Sequence, residues 1–242
     1  MNVLPVRPPN GETELELIEV MQRRKSTRAF SPKAVPKEAL EKILSAAISA
    51  PSKGNCQIWE FVGVTGSKKK EMDKMLLKLL KTDLIPAMQL SDFDNRASNA
   101  ALKKAKRRSN LDKQEMSKVL SPLGLSFEDF MLEGTFTLFN APVAILVFVD
   151  EVFSKDLPHI LSVGAVVQNA LLAATEMGLG SCWIGGVWRY TRHIRELLGI
   201  PDGKILLSTM AIGYPDLDSP IDAYKSTRDE LGEFVTWIGF EE

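Results

Sequence analysis

Two short stretches of this chain are apolar at nearly every position, 143–149 (VAILVFV) and 206–213 (LLSTMAIG). A strand with one face in water alternates apolar and polar residues, so an unbroken apolar pattern indicates a strand that is covered on both faces. A third stretch, 59–65 (WEFVGVT), also has the aromatic and β-branched residues that strands favour. The sequence therefore predicts a sheet sandwiched between layers of helices.

Three segments have the apolar spacing of helices. Residues 12–25 and residues 36–50 each carry an apolar stripe, and the second segment begins with a proline, as helices often do. Residues 162–178 are apolar on nearly every side, which predicts a helix in the centre of a large core or at a subunit interface. Gly178 suits the left-handed residue that follows the end of a helix.

Length and composition limit the class of protein. A chain of 242 residues, with 45% hydrophobic residues, 25% charged residues and a formal net charge of -1, is typical of one globular domain and lacks the positive field of a nucleic-acid binder. The N-terminus has no apolar signal-peptide core, and apolar runs such as 141–149 are too short to cross a bilayer. We therefore expect a cytoplasmic protein with no membrane or nucleic-acid partner. The two cysteines and two histidines have no zinc-ligand spacing, so no metal site is expected.

A charged, helix-prone region follows the first predicted strand and resembles an insertion. It spans roughly 68–135, and we expect a helical lid there, because insertions over a site usually shape access to it. Its run 103–113 (KKAKRRSNLDK) is consistent with a nucleic-acid patch or with a solvated helical face, and the lack of interleaved aromatics favours the second. Phe93, Phe127 and Phe130 either face a ligand or pack in the core, and packing is the commoner role.

Two clusters of cations and hydroxyls lie near opposite ends of the chain. The first, within 23–30 (RRKSTRAF), offers Arg24, Lys25, Ser26 and Arg28, and the second is 225–228 (KSTR). Guanidinium groups beside hydroxyls suit a phosphate monoester. The first cluster alone is also consistent with a basic helix end whose cations satisfy carbonyls and water. Convergence of the two clusters on one phosphate is the more specific hypothesis.

Two further segments offer groups to a flat ligand. The turn-rich stretch 50–59 (APSKGNCQIW) carries polar side chains that reach either solvent, as in an ordinary loop, or the edge of a heterocycle. The stretch 178–186 (GLGSCWIGG) follows a helix and lacks the GxGxxG spacing, so it does not indicate a dinucleotide-binding fingerprint. Without side chains, Gly185 and Gly186 would let backbone N–H groups approach a ligand closely.

The strings RRKSTRAF, APSKGNCQIW, GLGSCWIGG and AIGYPD, followed by KSTR and the closing FVTW, together resemble the nitroreductase family of FMN-dependent oxidoreductases. The resemblance covers most of the chain in the family's order. It implies a single domain over 1–242 with an α+β fold, whose central mixed, mostly antiparallel sheet is flanked by helices. It also implies an intertwined homodimer with FMN at its interface, NADH or NADPH as reductant, and a small-molecule electron acceptor such as a nitroaromatic or a quinone.

The resemblance also implies roles for individual residues. Those that match the family's contacts to the flavin phosphate, ribityl chain and pyrimidine edge are Arg24, Lys25, Ser26 and Arg28. The C-terminal phosphate clamp corresponds to Lys225 and Arg228. The loop that reaches the flavin from the partner subunit corresponds to Pro51, Ser52 and Asn55, and the backbone near flavin N5 corresponds to Ile184, Gly185 and Gly186. The chain departs from the family at Gln57-Ile58-Trp59, where Gln-Pro-Trp is common, and in the spacing of the C-terminal cations.

These roles imply a chemistry without a catalytic side chain. Arg28 beside flavin N1 and the C2 carbonyl would raise the electron affinity of the flavin, and a backbone N–H of Gly185 or Gly186 would orient the ring at N5. If reductant and oxidant use the same flavin face in turn, the kinetics are ping-pong. Reductive dehalogenation, flavin fragmentation and non-catalytic flavin binding are the alternatives on the same fold.

Overall fold

A computed structural model describes residues 16–82 and 100–240, which form an α+β structure around one sheet. The strands are β1 (Glu60–Thr65), β2 (Val143–Asp150), β3 (Gly180–Ile184) and β4 (Lys204–Gly213), in the spatial order β1-β2-β4-β3. Neighbouring strands are antiparallel, and Ser26 adds an isolated parallel bridge to Ser181 of β3. The predicted mixed, mostly antiparallel sheet is confirmed. The α-helices of the described residues are α1 (Leu17–Arg23), α2 (Lys37–Ala47), α3 (Gly66–Thr82), α4 (Ala100–Leu120), α5 (Phe127–Thr137), α6 (Leu157–Glu176) and α7 (Thr191–Leu198).

Alternate residues of β2 face two separate hydrophobic layers, which explains why this strand is apolar at every position from 143 to 149. Leu146 and Phe148 pack in the layer formed with α3 and α5. Ile145 and Val147 pack in the layer formed with α2 and α6. Because both faces of the strand are removed from water, an apolar side chain is favourable at each position. The predicted sandwich of a sheet between helices is confirmed.

Helix α6 is the apolar helix expected at 162–178. It begins earlier than expected because the Asp156 carboxylate accepts a hydrogen bond from a backbone N–H of its first turn. It is followed by Gly178, which has the predicted left-handed conformation with φ of +72°. By length and composition alone, α6 is able to span a bilayer, although the apolar runs of the sequence predicted no membrane-spanning segment. Val166 and Ala170 are nevertheless fully buried in the core, as in the central helix of a globular protein.

The region expected to form a lid contributes to the core at both of its ends. Helix α3 buries Met72 and Leu76, and α5 buries Phe136. Helix α4, between them, carries the basic run, and its Lys104 and Arg108 pair with carboxylates of the C-terminal segment at 2.8 and 2.7 Å. These pairs are the contacts expected of a charged helical face. Helix α4 also buries Met116 and Leu120 near its end, and a lid in this region stays a prediction.

The three phenylalanines of this region have different surroundings. Phe130 packs on the core residue Phe139, with ring centroids 5.6 Å apart, so core packing holds for this side chain. Phe127 lies beneath the ammonium group of Lys113, 5.7 Å from it. Phe93 lies outside the described residues, as do residues 12–15 of the first predicted helix.

Candidate functional site

The basic segment that follows α1 is held against the edge of the sheet. Arg24 ends α1, and its backbone N–H donates to the carbonyl of Val20 at 2.9 Å. The Thr27 N–H then donates to the Ser181 carbonyl of β3 at 2.9 Å. This close approach requires a glycine in β3, because a Cβ at Gly180 would lie 2.7 Å from the Thr27 side chain. The edge of the sheet therefore fixes the backbone that carries the first cationic cluster.

The two cationic clusters meet at one cavity of about 260 Å³. The residues that line it are Met21, Gln22, Arg24, Lys25, Lys225, Ser226 and Arg228. The ammonium group of Lys225 donates to the carbonyl of Gln22, which ties the C-terminal segment to α1. The structure thus brings together the two ends of the chain that the sequence had suggested as halves of a phosphate site.

The arginines of this cavity repel each other. Burial, and next the positive charge of Arg228, lower the pKa of the Arg24 guanidinium. An arginine stays protonated in proteins despite such a shift, so the cavity holds two like charges at close range. An anion between them would replace this repulsion by two charge-assisted contacts. The electrostatics of the cavity therefore favour a phosphate or a similar anion.

The lysine of the first cluster has a partner within the protein. Lys25 Nζ lies 2.9 Å from Oδ2 of Asp222 and also donates to the Asp222 carbonyl. Asp222 is 7% exposed, so this ion pair is largely shielded from water. The family resemblance assigned Lys25 to the ligand and gave no role to Asp222, whose one signal in the sequence is its place three residues before Lys225. Lys25 therefore links the two clusters, while Arg24 and Arg228 both line the cavity and repel each other.

Arg28 is half-buried and has few partners of its own. Its NH1 group is 3.4 Å from the Ser26 carbonyl, a long hydrogen bond, and its buried Nε has no hydrogen-bond partner among the described residues. Its Cζ lies 5.9 Å from the centroid of the Phe139 ring. A guanidinium group has five N–H donors, so most of the donors of Arg28 are available to a ligand.

The segment at the end of β3 leaves its backbone accessible. Ile184 is buried and ends the strand, and Gly186 is buried at the start of a short 3-10 helix. Gly185 between them is exposed, and no described atom lies within 4 Å of the position that a Cβ would take. The geometry allows the close approach of a flat ligand that the two glycines suggested.

The loop that carries Pro51, Ser52 and Asn55 lies outside this cavity. The Lys53 N–H donates to Ser162 Oγ of α6 at 3.2 Å, so the loop is attached to the opposite layer of the sheet. Pro51 and Asn55 are exposed, and Ser52 accepts a hydrogen bond within the loop, from the N–H of Gln57 at 2.8 Å. Within one chain, this loop and the cationic cavity do not form a common site.

A larger cavity of about 360 Å³ lies between α4 and the C-terminal segment. It is lined by Asp112 and Glu115 of α4, by Tyr224 and by Lys225, which also lines the cationic cavity. The Tyr224 hydroxyl donates to Oδ1 of Asp112 at 2.5 Å. Burial and this hydrogen bond raise the pKa of Tyr224, whereas the charge of Arg28 lowers it. The surface of α4 is thus continuous with the cationic site.

The fold and the site define an α+β protein whose two cationic segments line one cavity at the edge of the sheet. The model of the nitroreductase family matches residues 21–214. A putative NADH dehydrogenase/NAD(P)H nitroreductase of Archaeoglobus fulgidus is 30% identical over 83% of this chain and 86% of its own length. The chain belongs to the nitroreductase family.

Two further proteins are similar over most of their length. A 4-nitrobenzoate reductase of Nocardioides sp. (strain LMS-CY) is 26% identical over 90% of this chain and 88% of its own. The crystal structure of the FMN and NADPH-dependent nitroreductase NfnB from Sphigopyxis sp. strain HMH has a TM-score of 0.80 and 25% identity, and the match covers 93% of this chain and 100% of that one. The match of the family model includes all four strands and the first cationic cluster, and it ends before residues 225–228.

Proposed function

We propose that the protein is an oxidoreductase that holds FMN and catalyses electron transfer from NADH or NADPH to a nitroaromatic, a quinone or a similar small acceptor. The observation that carries this proposal is the cavity that the mutually repelling Arg24 and Arg228 both line. The relatives named for 4-nitrobenzoate reduction and for NAD(P)H nitroreduction support the substrate class. The FMN and NADPH dependence of the similar crystal structure supports the cofactor.

The residues of the site fit FMN. A phosphate monoester carries close to two negative charges at neutral pH, which matches the two guanidinium groups of Arg24 and Arg228. Arg28 has a buried Nε and most of its N–H donors free, as required for a contact with the polar pyrimidine edge of a flavin. The exposed backbone at Gly185 would accommodate the ring itself. Bound FMN would supply the redox chemistry, accepting a hydride and returning two electrons to the acceptor.

The protein's contribution to this chemistry is electrostatic and steric. A half-buried cation beside the pyrimidine edge stabilises negative charge more than an exposed cation, because the local dielectric constant is lower. Arg28 therefore makes the bound flavin a better electron acceptor. The backbone from Ile184 to Gly186 orients the ring without adding a group that titrates. We further propose that α4 is the lid over this site, within a single domain of residues 1–242.

A homodimer completes the site in this proposal. Leu157 and Leu161, on the outer face of α6, are each 64% exposed, and Ile238 in the C-terminal segment is 87% exposed. Apolar side chains exposed in this number on one chain are typical of a subunit interface. The loop of Pro51, Ser52 and Asn55 would then reach the cavity of the partner subunit. The use of NAD(P)H, an intracellular reductant, makes the cytoplasm the location that we propose.

The decisive experiment is reduction of the purified protein under anaerobic conditions. We expect yellow protein, or apoprotein that takes up FMN, whose absorbance near 450 nm is bleached by NADH or NADPH and restored by 4-nitrobenzoate or a quinone. Protein that remains colourless in excess FMN would refute the proposal. Protein that binds FMN but is bleached by neither nicotinamide would instead be a flavin carrier. Light scattering on the same sample tests the homodimer.

A further inference from the structure

The turn that follows α5 has an unusual backbone. Leu138, Phe139 and Asn140 have φ angles of +53°, +52° and +57°, so three successive residues other than glycine are left-handed. Each such residue costs conformational free energy, and asparagine is the only one of the three that tolerates the left-handed region well. Strained backbone of this kind persists where the surroundings enforce it, and it is concentrated at functional sites. The turn therefore calls for a functional explanation.

Buried contacts on both sides hold this turn in place. Lys69 of α3 is 3% exposed, and its ammonium group donates to the carbonyl of Thr137 at 3.1 Å, immediately before the turn. The same ammonium group lies 2.7 Å from a carboxylate oxygen of Asp73. At the other end, the Ala141 N–H donates to the Leu138 carbonyl at 3.1 Å. These bonds fix the direction in which the Phe139 side chain leaves the backbone.

The Phe139 ring is itself confined. It rests on Gly134 of α5, where a Cβ would lie 2.2 Å from Cε1 of the ring, so only glycine leaves room for it. Phe130 packs on the ring with centroids 5.6 Å apart. Phe139 is 6% exposed, and Cζ of the Arg28 guanidinium lies 5.9 Å from the centroid of its ring. The strained turn therefore places a rigid aromatic ring next to the guanidinium of Arg28.

We propose that Phe139 is a positioning residue for Arg28, and that the left-handed turn exists to place its ring against the guanidinium. This inference rests on the proposed function, in which Arg28 contacts the polar edge of the flavin. A guanidinium that faces a ligand must be held without using its own donors. An aromatic ring does this through a cation–π contact, which occupies none of the N–H groups. The long bond to the Ser26 carbonyl is otherwise too weak to fix the side chain.

The test compares Phe139→Leu and Phe139→Met with Phe130→Leu. The first two variants keep apolar volume but remove the ring, and the third alters a neighbour that contacts Phe139 and has no contact with Arg28 among the described residues. Loss of the ring should raise the FMN dissociation constant about threefold to tenfold, the range for a partly desolvated cation–π contact. It should also make the flavin midpoint potential more negative. Phe130→Leu should leave both quantities near those of the wild type.

An equal effect of the Phe130 and Phe139 variants on the potential would overturn the proposal, as would an unchanged potential in the Phe139 variants. A double-mutant cycle separates positioning from packing. In an Arg28→Gln background, Phe139→Leu should have little further effect on FMN affinity or potential. If both Phe139 variants fail to fold, with no cooperative melting transition, the turn is purely structural and the proposal is wrong.

Failure of the proposed oxidoreductase function can be distinguished from failure of the positioning role of Phe139. If the wild type binds no flavin, the oxidoreductase proposal falls, but the same cycle can be measured by urea unfolding of the apoprotein. Coupling between Arg28→Gln and Phe139→Leu in that measurement would show that the ring holds the guanidinium irrespective of the ligand. Additive effects in the apoprotein would overturn the positioning role.

Discussion

Replacement of Arg24 by alanine should have opposite effects on cofactor retention and on the stability of the apoprotein. Arg24 lines the cationic cavity, and its guanidinium experiences both burial and the positive charge of Arg228. Removal of this charge relieves a repulsion that exists only while the cavity is empty. The matched control is Arg23→Ala, because Arg23 is the preceding residue, its side chain is 59% exposed, and its partner is Glu19 at 3.6 Å.

The magnitude follows from the contact that is lost. A hydrogen bond to a charged group contributes about 1.5–3 kcal/mol, which corresponds to a rise of roughly tenfold to a hundredfold in the FMN dissociation constant. Stabilisation by a ligand that binds the folded state equals RT ln(1 + [L]/Kd). At saturating FMN, the Arg24 variant should therefore lose about 1.5–3 kcal/mol of cofactor-induced stabilisation. Without FMN, its melting temperature should equal or exceed that of the wild type.

Two measurements check this. Quenching of flavin fluorescence during titration of the apoprotein gives the dissociation constant, and thermal melts with and without FMN give the stabilisation. Arg23→Ala should resemble the wild type in both. Equal FMN affinities of the two variants would exclude Arg24 from the phosphate site. A loss of affinity accompanied by a similar destabilisation of the apoprotein would indicate that Arg24 acts through the fold.

Three further predictions concern other parts of the molecule. Initial rates with reductant and acceptor varied together should give parallel double-reciprocal lines, because one site serves both molecules in turn, and intersecting lines would contradict this. Lys69→Met leaves the half-buried Asp73 carboxylate without its partner and should cost about 1–3 kcal/mol in urea unfolding, which replacement of both residues by apolar side chains should largely restore. A hydrogen bond from Arg108 lowers the pKa of Asp229, so this contact between the C-terminal segment and α4 should persist above the ordinary aspartate pKa of about 3.9 and be lost as the pH falls through the lowered value. Proteolysis of that segment by an acid protease should therefore increase only at the low end of the protease's pH range, and Asp229→Asn should show the increase at every pH at which the protease is active.

The sheet and its two covering layers could be predicted because their signal is local. A strand such as β2, apolar from 143 to 149, has few alternatives to burial on both faces. Strand β3 was not predicted, because a short stretch with a glycine and a serine resembles a loop. It forms a strand because it pairs with β4 and with Ser26. These partners are distant in sequence, so a local stretch of sequence does not reveal the pairing.

The charged residues of the candidate site could be predicted from the sequence, but the partners that these residues bind could not. The composition of the two cationic clusters revealed what kind of ligand they suit. Whether Lys25 contacts that ligand or a carboxylate depends on the distance to Asp222, 197 positions away in sequence. The turn at Phe139 gave no signal either, because left-handed leucine and phenylalanine are disfavoured by the local propensities on which sequence reasoning relies.

The pairing of the lysines explains how a cavity with two repelling arginines is stable before a ligand arrives. The ammonium group of Lys25, in the N-terminal segment, binds Asp222 near the C-terminus, and the ammonium group of Lys225 binds the carbonyl of Gln22 in α1. Lys25 thus attaches the N-terminal segment to the C-terminal segment, and Lys225 attaches the C-terminal segment to α1. Nη1 of Arg228 donates to Ser226 Oγ at 3.0 Å and to the Thr227 carbonyl at 2.8 Å. The guanidinium of Arg24 and the other N–H groups of Arg228 offer donors suited to phosphate oxygens. Because the two segments are joined before the anion binds, binding carries no entropic cost of ordering them. The electrostatic attraction therefore contributes to affinity without that loss.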